Sequence, residues 1–134
     1  MLRFLFLISL FLTLYGNDFR SVTKLSLKKD EFLQLNIKYA KQKKLFKLRW
    51  TLFVNNGLVI HKYYGGTVSQ NILYLNHTNQ SIRQELKPRG ADFYNVPYLL
   101  VRFSEFDEIK HEAKFELYLS DEKMQIQMQY IKNS

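Results

Sequence analysis

Three histidines and one group of carboxylates are the residues of this sequence that could take part in acid–base or metal chemistry. His61, His77 and His111 stand in separate segments, and none has a second histidine three to five residues away, as a helical metal-binding pair needs. The carboxylates gather in one short segment, at Glu105, Asp107, Glu108 and Glu112. Such a cluster suits a hard cation such as calcium, but it lacks the spaced Asp and Asn and the glycine of an EF-hand loop. We therefore predict a solvated acidic loop and no metal site.

Other catalytic chemistries find little support in the sequence. The chain of 134 residues contains no cysteine, which excludes a disulfide framework, thiolate catalysis and cysteine-based zinc sites. No serine has the Gly-x-Ser-x-Gly setting of a hydrolase nucleophile, and Gly65-Gly66 lacks the rest of a nucleotide-binding loop. We predict a non-catalytic protein without a cofactor. The alternative is a small envelope hydrolase that uses the carboxylates of the 105–112 loop with His61 or His111 as acid or base.

Charge is distributed unevenly along the chain, whose formal net charge is +8. From Arg20 to Arg49, ten basic residues accompany only two acidic ones, whereas seven acidic residues and three lysines lie between Glu105 and Lys123. A basic surface of this kind can meet phospholipid head groups, an acidic envelope polymer or nucleic acid. The alternative interpretation is that lysines line solvated strand faces and discourage edge-to-edge aggregation.

The candidate binding residues come from this basic segment and from a nearby aromatic pair. The basic candidates are Lys38, Lys41, Lys43, Lys44, Lys47 and Arg49. Tyr63 and Tyr64 lie near a turn, where aromatic rings can stack on sugars or anchor a protein partner, although they equally suit caps of a hydrophobic core. The predicted partner is an envelope protein or an anionic surface, met through the basic face or an exposed strand edge.

Residues 1–16 differ sharply from the rest of the chain. Arg3 lies beside the terminal amine, an uncharged apolar run extends from Phe4 to Tyr15, and Gly16 offers a small residue at the cleavage point. This is the layout of a secretory signal peptide, and the run is shorter than the roughly 20 apolar residues of a membrane span. We predict a signal peptide or, if uncleaved, a membrane anchor that contacts the bilayer, followed by a single domain at 17–134. Export to the periplasm or cell envelope disfavours nucleic acid as the partner. The alternative is a buried first strand or helix of a cytosolic domain.

The segment from Phe46 to Tyr64 has the pattern of a β-hairpin. Apolar residues recur at every second position, at Phe46, Leu48, Trp50, Leu52 and Val54. This period predicts a strand with one buried face. Asn55-Asn56-Gly57 follows, and an Asn-Gly pair is typical of a primed two-residue turn, so we expect a positive φ at Gly57. The return strand is predicted from Leu58 to Tyr64.

Further strands are predicted along the chain. They cover residues 21–27, 33–39, 67–76, 82–87, 98–103, 113–120 and 124–131. The segment 67–76 has apolar residues on both faces, which predicts burial on both sides. Lys41 to Lys44 are expected in a basic turn, and residues 104–113 have a pattern compatible with one or two helical turns.

Eight or nine short strands at a spacing near a dozen residues predict an all-β antiparallel β-sandwich. The hydrophobic fraction of 46% supplies enough material for its core. An immunoglobulin-like arrangement is the first choice, although the cysteine pair of antibody domains is absent. The two functional hypotheses can be distinguished by geometry: carboxylates and a histidine in one cleft favour the hydrolase, and their separation favours the binding or structural module.

Overall fold

Nine strands account for the regular structure of the described residues, which are 19–88, 96–121 and 125–131 of a computed structural model. The strands are β1 (Phe19–Lys28), β2 (Leu33–Tyr39), β3 (Gln42–Val54), β4 (Gly57–Tyr64), β5 (Thr67–Tyr74), β6 (Ser81–Glu85), β7 (Tyr98–Asp107), β8 (Glu112–Ser120) and β9 (Ile126–Tyr130). They confirm the predicted strands, with shifts at the ends. The predicted leader at 1–16 lies outside the described residues. The part of the chain that the structure describes holds no helix of the length and apolarity that crossing a membrane requires.

The strands form two antiparallel sheets, consistent with the predicted β-sandwich. The four-stranded sheet has the order β1-β8-β7-β6, and the five-stranded sheet has the order β5-β4-β3-β2-β9. Each sheet contributes fully buried side chains to one core, for example Leu35 and Phe46 from the five-stranded sheet and Phe103 and Phe115 from the four-stranded sheet. Burial of each such side chain favours the folded state by about 1.5–3 kcal/mol. The core therefore holds the two sheets together and leaves one outer face on each.

The strand order differs from the ABED and CFG sheets of an immunoglobulin domain. Three two-residue turns join β2, β3, β4 and β5, at Ala40-Lys41, Asn55-Asn56 and Gly65-Gly66. A connection this short can join only neighbouring antiparallel strands, so these four strands form one continuous meander. The all-β antiparallel class is thus confirmed, whereas the immunoglobulin-like strand order is not found.

The turn between β3 and β4 lies one residue earlier than predicted. Positive φ angles of 53° and 64° occur at Asn55 and Asn56, whereas Gly57 is the first residue of β4 and has no positive φ. Asparagine accepts this conformation more readily than most residues do. Glycine is favoured at position 57 for another reason, because a Cβ there would lie 2.8 Å from Cε1 of Tyr74 on β5.

An extra residue in β3 changes which side chains of this strand are buried. The pairing with β4 shifts between Trp50 and Leu52, so Trp50 and Phe53, three residues apart, both pack against the core. Leu52 and Val54 consequently fall on the outer face, with exposed fractions of 51% and 52%. The prediction that these two residues continue the buried row is wrong, because strict alternation does not survive a β-bulge.

A second bulge follows Phe103 in β7 and turns Phe106 inward as well. The aromatic rings beside the two bulges meet in the core. Ring centroids lie 4.1 Å apart for Phe53 and Phe106, 5.4 Å for Trp50 and Phe106, and 5.9 Å for Phe53 and Phe103. The sequence of residues 104–113 has a pattern compatible with one or two helical turns. The prediction of helical turns there is wrong, since β7 and β8 continue as strands to the turn that joins them.

The edge strand β5 is more exposed than its sequence suggests. Of the described strands, β4 alone pairs with it, and its exposed residues include Val68 and Ile72, while Leu73 is buried. The prediction that this strand is buried on both sides is wrong, because nothing among the described residues covers its outer face.

Candidate functional site

The eight predicted binding residues do not all lie on one surface. Five of them belong to the outer face of the five-stranded sheet, at Lys38, Lys43, Lys47, Arg49 and Tyr63. Lys41 is exposed in the turn between β2 and β3, which consists of Ala40 and Lys41 alone, so the predicted basic turn is shorter than Lys41 to Lys44. Lys44 and Tyr64 lie on the inner side of the sheet, opposite Ile37 and Phe46. The structure therefore brings five of the predicted residues onto one face and separates the other three from them.

Lys44 caps one end of the core. Its Nζ lies 5.9 Å from the ring centroid of Tyr39 and 5.6 Å from that of Tyr64, distances at which an ammonium group is attracted by aromatic rings. The Tyr64 hydroxyl donates a hydrogen bond of 2.6 Å to the main-chain oxygen of Leu86. Burial raises the pKa of Tyr64, and the neighbouring hydroxyl of Tyr39 adds to this shift. Both Lys44 and Tyr64 thus have structural roles in the sandwich.

A hydrogen-bonded row crosses the outer face from β3 to β5. Nη2 of Arg49 lies 3.4 Å from Nδ1 of His61, and Nε2 of the same imidazole lies 3.0 Å from Oε1 of Gln70. A guanidinium can only donate, so these two bonds suit the neutral imidazole that accepts at Nδ1 and donates from Nε2. Nε of Arg49 is buried and has no hydrogen-bond partner. Arg49 therefore keeps its positive charge on this face with a neutral partner in place of a carboxylate.

Phe32, just before β2, holds the two central cations side by side. Nζ of Lys47 lies 4.6 Å from the Phe32 ring centroid, and Cζ of Arg49 lies 5.1 Å from it. Cation–π contacts at exposed sites contribute about 0.5–1 kcal/mol each. They restrain both head groups on the sheet surface without neutralising either charge.

The two sheets differ in their balance of charge. The strands of the five-stranded sheet contain six Lys or Arg residues and no Asp or Glu. The strands of the four-stranded sheet contain six basic and five acidic residues. There, cations and carboxylates pair: Nη1 of Arg102 lies 2.9 Å from Oε1 of Glu116, and Nζ of Lys114 lies 3.9 Å from Oε2 of Glu105. On the five-stranded sheet, no described carboxylate forms an ion pair with a strand cation. The basic face, defined as Lys38, Lys43, Lys47 and Arg49, is therefore unneutralised within the described chain.

Exposed apolar side chains lie on the same outer face as these cations. The large hydrophobic residues that are exposed there are Leu52, Val54, Val68 and Ile72. Leu52 opposes Val59, which in turn opposes Ile72, so the apolar residues form a row across three strands. We call these four exposed residues the apolar patch. The bulge in β3 creates half of it, and sequence alternation alone could not reveal it.

The acidic residues of the alternative hydrolase lie at the end of β7 and in the turn that follows it. Glu105, Asp107 and Glu108 line an open depression of about 510 Å³ at the end of the sheets, together with Phe53, Asn56, Leu75, Phe106 and Ile109. No histidine lines it. His61 belongs to the outer face of the other sheet, and the ring of His111 lies against Phe106 with 6.1 Å between centroids. Within the described chain, no three His, Asp or Glu residues are grouped to hold a metal ion.

Asp107 stabilises the turn between β7 and β8. Its Oδ1 accepts hydrogen bonds of 3.0 Å from the Ile109 main-chain N–H and 3.1 Å from that of Lys110. The Lys110 bond is the main cause that lowers the pKa of the Asp107 carboxyl, with the Ile109 bond and two nearby lysines adding to it. A carboxylate engaged in this way shapes its own turn.

Lys62 is a cation that the sequence analysis did not single out. It opposes Leu48 on one side and Ser69 on the other, on the inner side of the sheet between Ile60 and Tyr64. Burial lowers the pKa of its ammonium group. The signal was present in the alternation of Leu58, Ile60, Lys62 and Tyr64, which places this lysine on the apolar side of β4.

Comparisons of the chain with known protein families, with curated proteins and with solved structures return no match.

Proposed function

We propose that the chain is an exported, non-catalytic binding module of the cell envelope whose five-stranded sheet docks on an anionic phospholipid surface. The observation that carries this proposal is the basic face, where Lys38, Lys43, Lys47 and Arg49 stand on strands that contain no acidic residue. Each lysine or arginine close to an anionic membrane contributes about 1 kcal/mol of attraction. Export and the envelope location rest on the signal-peptide pattern of residues 1–16.

The pairing of the strands adds support from energetics. Lys38 and Lys43 stand directly opposite each other on the same face. Like charges in this position destabilise a sheet, on a scale of about 0.2–1 kcal/mol for cross-strand pairs. A phosphate group that lies between the two ammonium groups relieves this repulsion.

The apolar patch favours a lipid surface over a purely ionic partner. Leu52 and Val54 are each about half exposed on the face that carries the cations. Surfaces that combine cations with exposed apolar side chains suit the boundary between head groups and acyl chains. A sheet face is also broad enough to present several cations to a flat surface at once.

The alternative function, a small envelope hydrolase, has weaker support. It requires carboxylates of the 105–112 segment to act with a histidine. The position of His61 on the outer face of the five-stranded sheet and the aromatic contact of His111 favour the binding module instead.

Co-sedimentation with lipid vesicles tests the proposal. The purified protein is expected to bind vesicles rich in anionic lipid, to ignore vesicles of zwitterionic lipid, and to dissociate as salt rises, because charge attraction is screened over about 8 Å at physiological ionic strength. Lys38, Lys43 and Lys47, changed together to Gln, should weaken binding about 100-fold, at about 1 kcal/mol per lysine. The matched control changes Lys24, Lys28 and Lys29 to Gln, which removes the same net charge from β1 and the turn after it. Equal losses in both triple variants would show that net charge, and not this face, governs binding.

A second pair of variants tests whether the apolar patch contributes to vesicle binding. Leu52→Gln combined with Val54→Gln should weaken vesicle binding and make the remaining binding more sensitive to salt. Ile109→Gln alters an exposed apolar residue in the turn between β7 and β8 and should leave binding unchanged. A loss in the Ile109 variant as large as in the double variant would contradict the proposed orientation.

A further inference from the structure

Among the described residues, nothing protects the outer edge of β5 against pairing with another strand. Edge strands are usually guarded by charged residues, prolines, bulges or short length. β5 has eight residues, contains no charged residue, no proline and no glycine, and pairs with β4 without a register shift. The other edges differ: β1 carries lysines and a register shift, β6 has five residues with Arg83 and Glu85, and β9 has five residues whose outer-face side chains are glutamines.

The main-chain groups of β5 point outward at its even-numbered residues. The Leu75 N–H donates to the oxygen of Asn56, toward the β4 side, whereas the Tyr74 N–H donates to the oxygen of Asn79, away from β4. Hydrogen-bonding directions alternate along a strand. The N–H and C=O groups of Val68, Gln70 and Ile72 therefore face away from β4, and no described main-chain group bonds to them there.

We propose that β5 pairs antiparallel with β5 of a second copy of the chain, with Gln70 opposite Gln70 of the other copy. In this register Val68 of each copy stands opposite Ile72 of the other, and all six residues present their outward N–H and C=O groups to one another. The paired segment is 67–73, with Gln70 at its centre. It ends before Tyr74, because the outward N–H of Tyr74 already donates to the main-chain oxygen of Asn79. A twofold-symmetric contact requires such self-complementarity, because the same surface forms both sides. If residue i of the first copy meets residue j of the second, residue j of the first copy also meets residue i of the second.

Side-chain chemistry also favours a second copy over a foreign strand. Val68 and Ile72 are exposed by 71% and 44% and are both β-branched, and pairs of this kind stabilise neighbouring strands. Since β5 has no charged side chain, the two copies meet at this edge without like charges in contact. Every charged residue of the five-stranded sheet lies on β2, β3 or β4.

The symmetry of this contact has a geometric result. The twofold axis lies perpendicular to the joined sheet, so the outer faces of both copies look in the same direction. The two basic faces then form one continuous surface on a ten-stranded sheet. The inference stands apart from the lipid proposal, since the pairing forms in solution and is measured without vesicles.

Sedimentation equilibrium of the purified protein tests the pairing. The mass is expected to rise from one chain toward two with increasing concentration. Val68→Lys combined with Ile72→Lys should keep the protein monomeric, because each introduced lysine meets another across the axis. Val68→Lys combined with Ile72→Glu changes the same two exposed positions and should restore the dimer, since opposite charges then meet. A parent protein that stays monomeric, a dimer that survives the double lysine variant, or no difference between the two double variants would each overturn the proposal.

Hydrogen exchange identifies the contact independently. The amides of Val68, Gln70 and Ile72 are expected to exchange more slowly in the dimer than in the double lysine variant. Val54→Lys is the matched control, because it places a lysine on the same outer face away from the edge, and it should leave both the mass and the exchange rates unchanged. A dimer in which these three amides exchange as fast as in the monomer would show that another surface of the chain forms the contact and would overturn the proposed pairing.

Discussion

Trp50 on β3 donates a hydrogen bond of 2.7 Å from Nε1 to the main-chain oxygen of Leu27 on β1, and thereby links the two sheets by a directional contact inside the core. The indole also packs edge-on against Phe106 of β7. Trp50 is 2% exposed, so water cannot replace the bond. One side chain thus joins three strands that are distant in the sequence.

Trp50→Phe removes the hydrogen-bond donor and part of the ring volume. Phenylalanine keeps an aromatic ring in the core but leaves the Leu27 oxygen without its donor, and an unsatisfied buried acceptor costs about 1–3 kcal/mol. Loss of ring volume adds to this cost. Urea unfolding followed by circular dichroism should show a lower midpoint. A midpoint equal to that of the parent would mean that the bond contributes nothing net.

Asn56 and Gly57 suit their neighbouring positions for two different reasons, which are backbone conformation at Asn56 and side-chain space at Gly57. Asn56→Gly should be tolerated, because Asn56 has a positive φ, and Asn56→Val should destabilise the protein by about 1–2 kcal/mol. Gly57→Val should destabilise it through a clash with Tyr74, and Tyr74→Ala in the same chain should recover part of that loss. Thermal unfolding of the single and double variants measures this coupling. Additive effects of the Gly57 and Tyr74 changes would contradict the steric explanation.

The raised pKa of Tyr64 leads us to expect a loss of stability at high pH. Its folded-state pKa is raised, so the folded protein keeps the phenolic proton at a pH where the unfolded chain, with a pKa near 10, releases it. Stability is therefore fully present below about pH 10 and falls as pH rises above it, by up to about 1.4 kcal/mol per pH unit for this group. Tyr64→Phe should be less stable at neutral pH, since the bond to Leu86 is lost, and should show a shallower decline above pH 10. Parallel declines in urea midpoints from pH 8 to 11 would contradict this assignment.

The lowered pKa of Lys62 should have the opposite effect on stability as pH rises. Burial lowers its folded-state pKa, so the unfolded chain holds the proton more tightly, and the cost of burying the charge is present at neutral pH and relieved as pH approaches 10.5. Lys62→Met keeps the length of the side chain and removes the charge. It should raise the free energy of unfolding at pH 7 by about 0.5–2 kcal/mol, with a smaller gain at pH 10. A destabilised variant would show that the ammonium group makes a favourable contact in the parent.

The strands were predicted well from local sequence, because a strand is recognised by alternating apolar residues and by the turn residues that end it. Leu33, Leu35 and Ile37 alternate without interruption, and β2 has the predicted bounds of residues 33–39. The same rule failed at Leu52 and Val54, because a bulge depends on how β3 pairs with β4 and leaves no mark in the period of β3 alone. The strand order was equally hidden, since pairing of distant strands is a tertiary property.

Part of the candidate site was predictable because it depends on local alternation within single strands. Lys38, Lys47 and Arg49 each lie between two apolar neighbours, so their common face follows from spacing along β2 and β3. Lys43 was expected in the turn and joins this face through its pairing with Lys38. Lys44 was misplaced because the expected turn was too long: Gln42, Lys43 and Lys44 belong to β3, and Lys44 lies opposite the buried Ile37. The apolar patch could not be predicted, since half of it lies beyond the bulge.

The pairing of β1 with β8, and of β2 with β9, constrains the order in which the chain can complete its two sheets. The meander from β2 to β5 can zip together as soon as it leaves the ribosome, because its partners are consecutive. β1, by contrast, must wait for a strand made near the end of synthesis, and the four-stranded sheet cannot close until then. Long-range pairing of this kind slows folding. The four-stranded sheet is therefore later to form during synthesis than the meander, because it needs β1 from one end of the described chain and β8 from near the other.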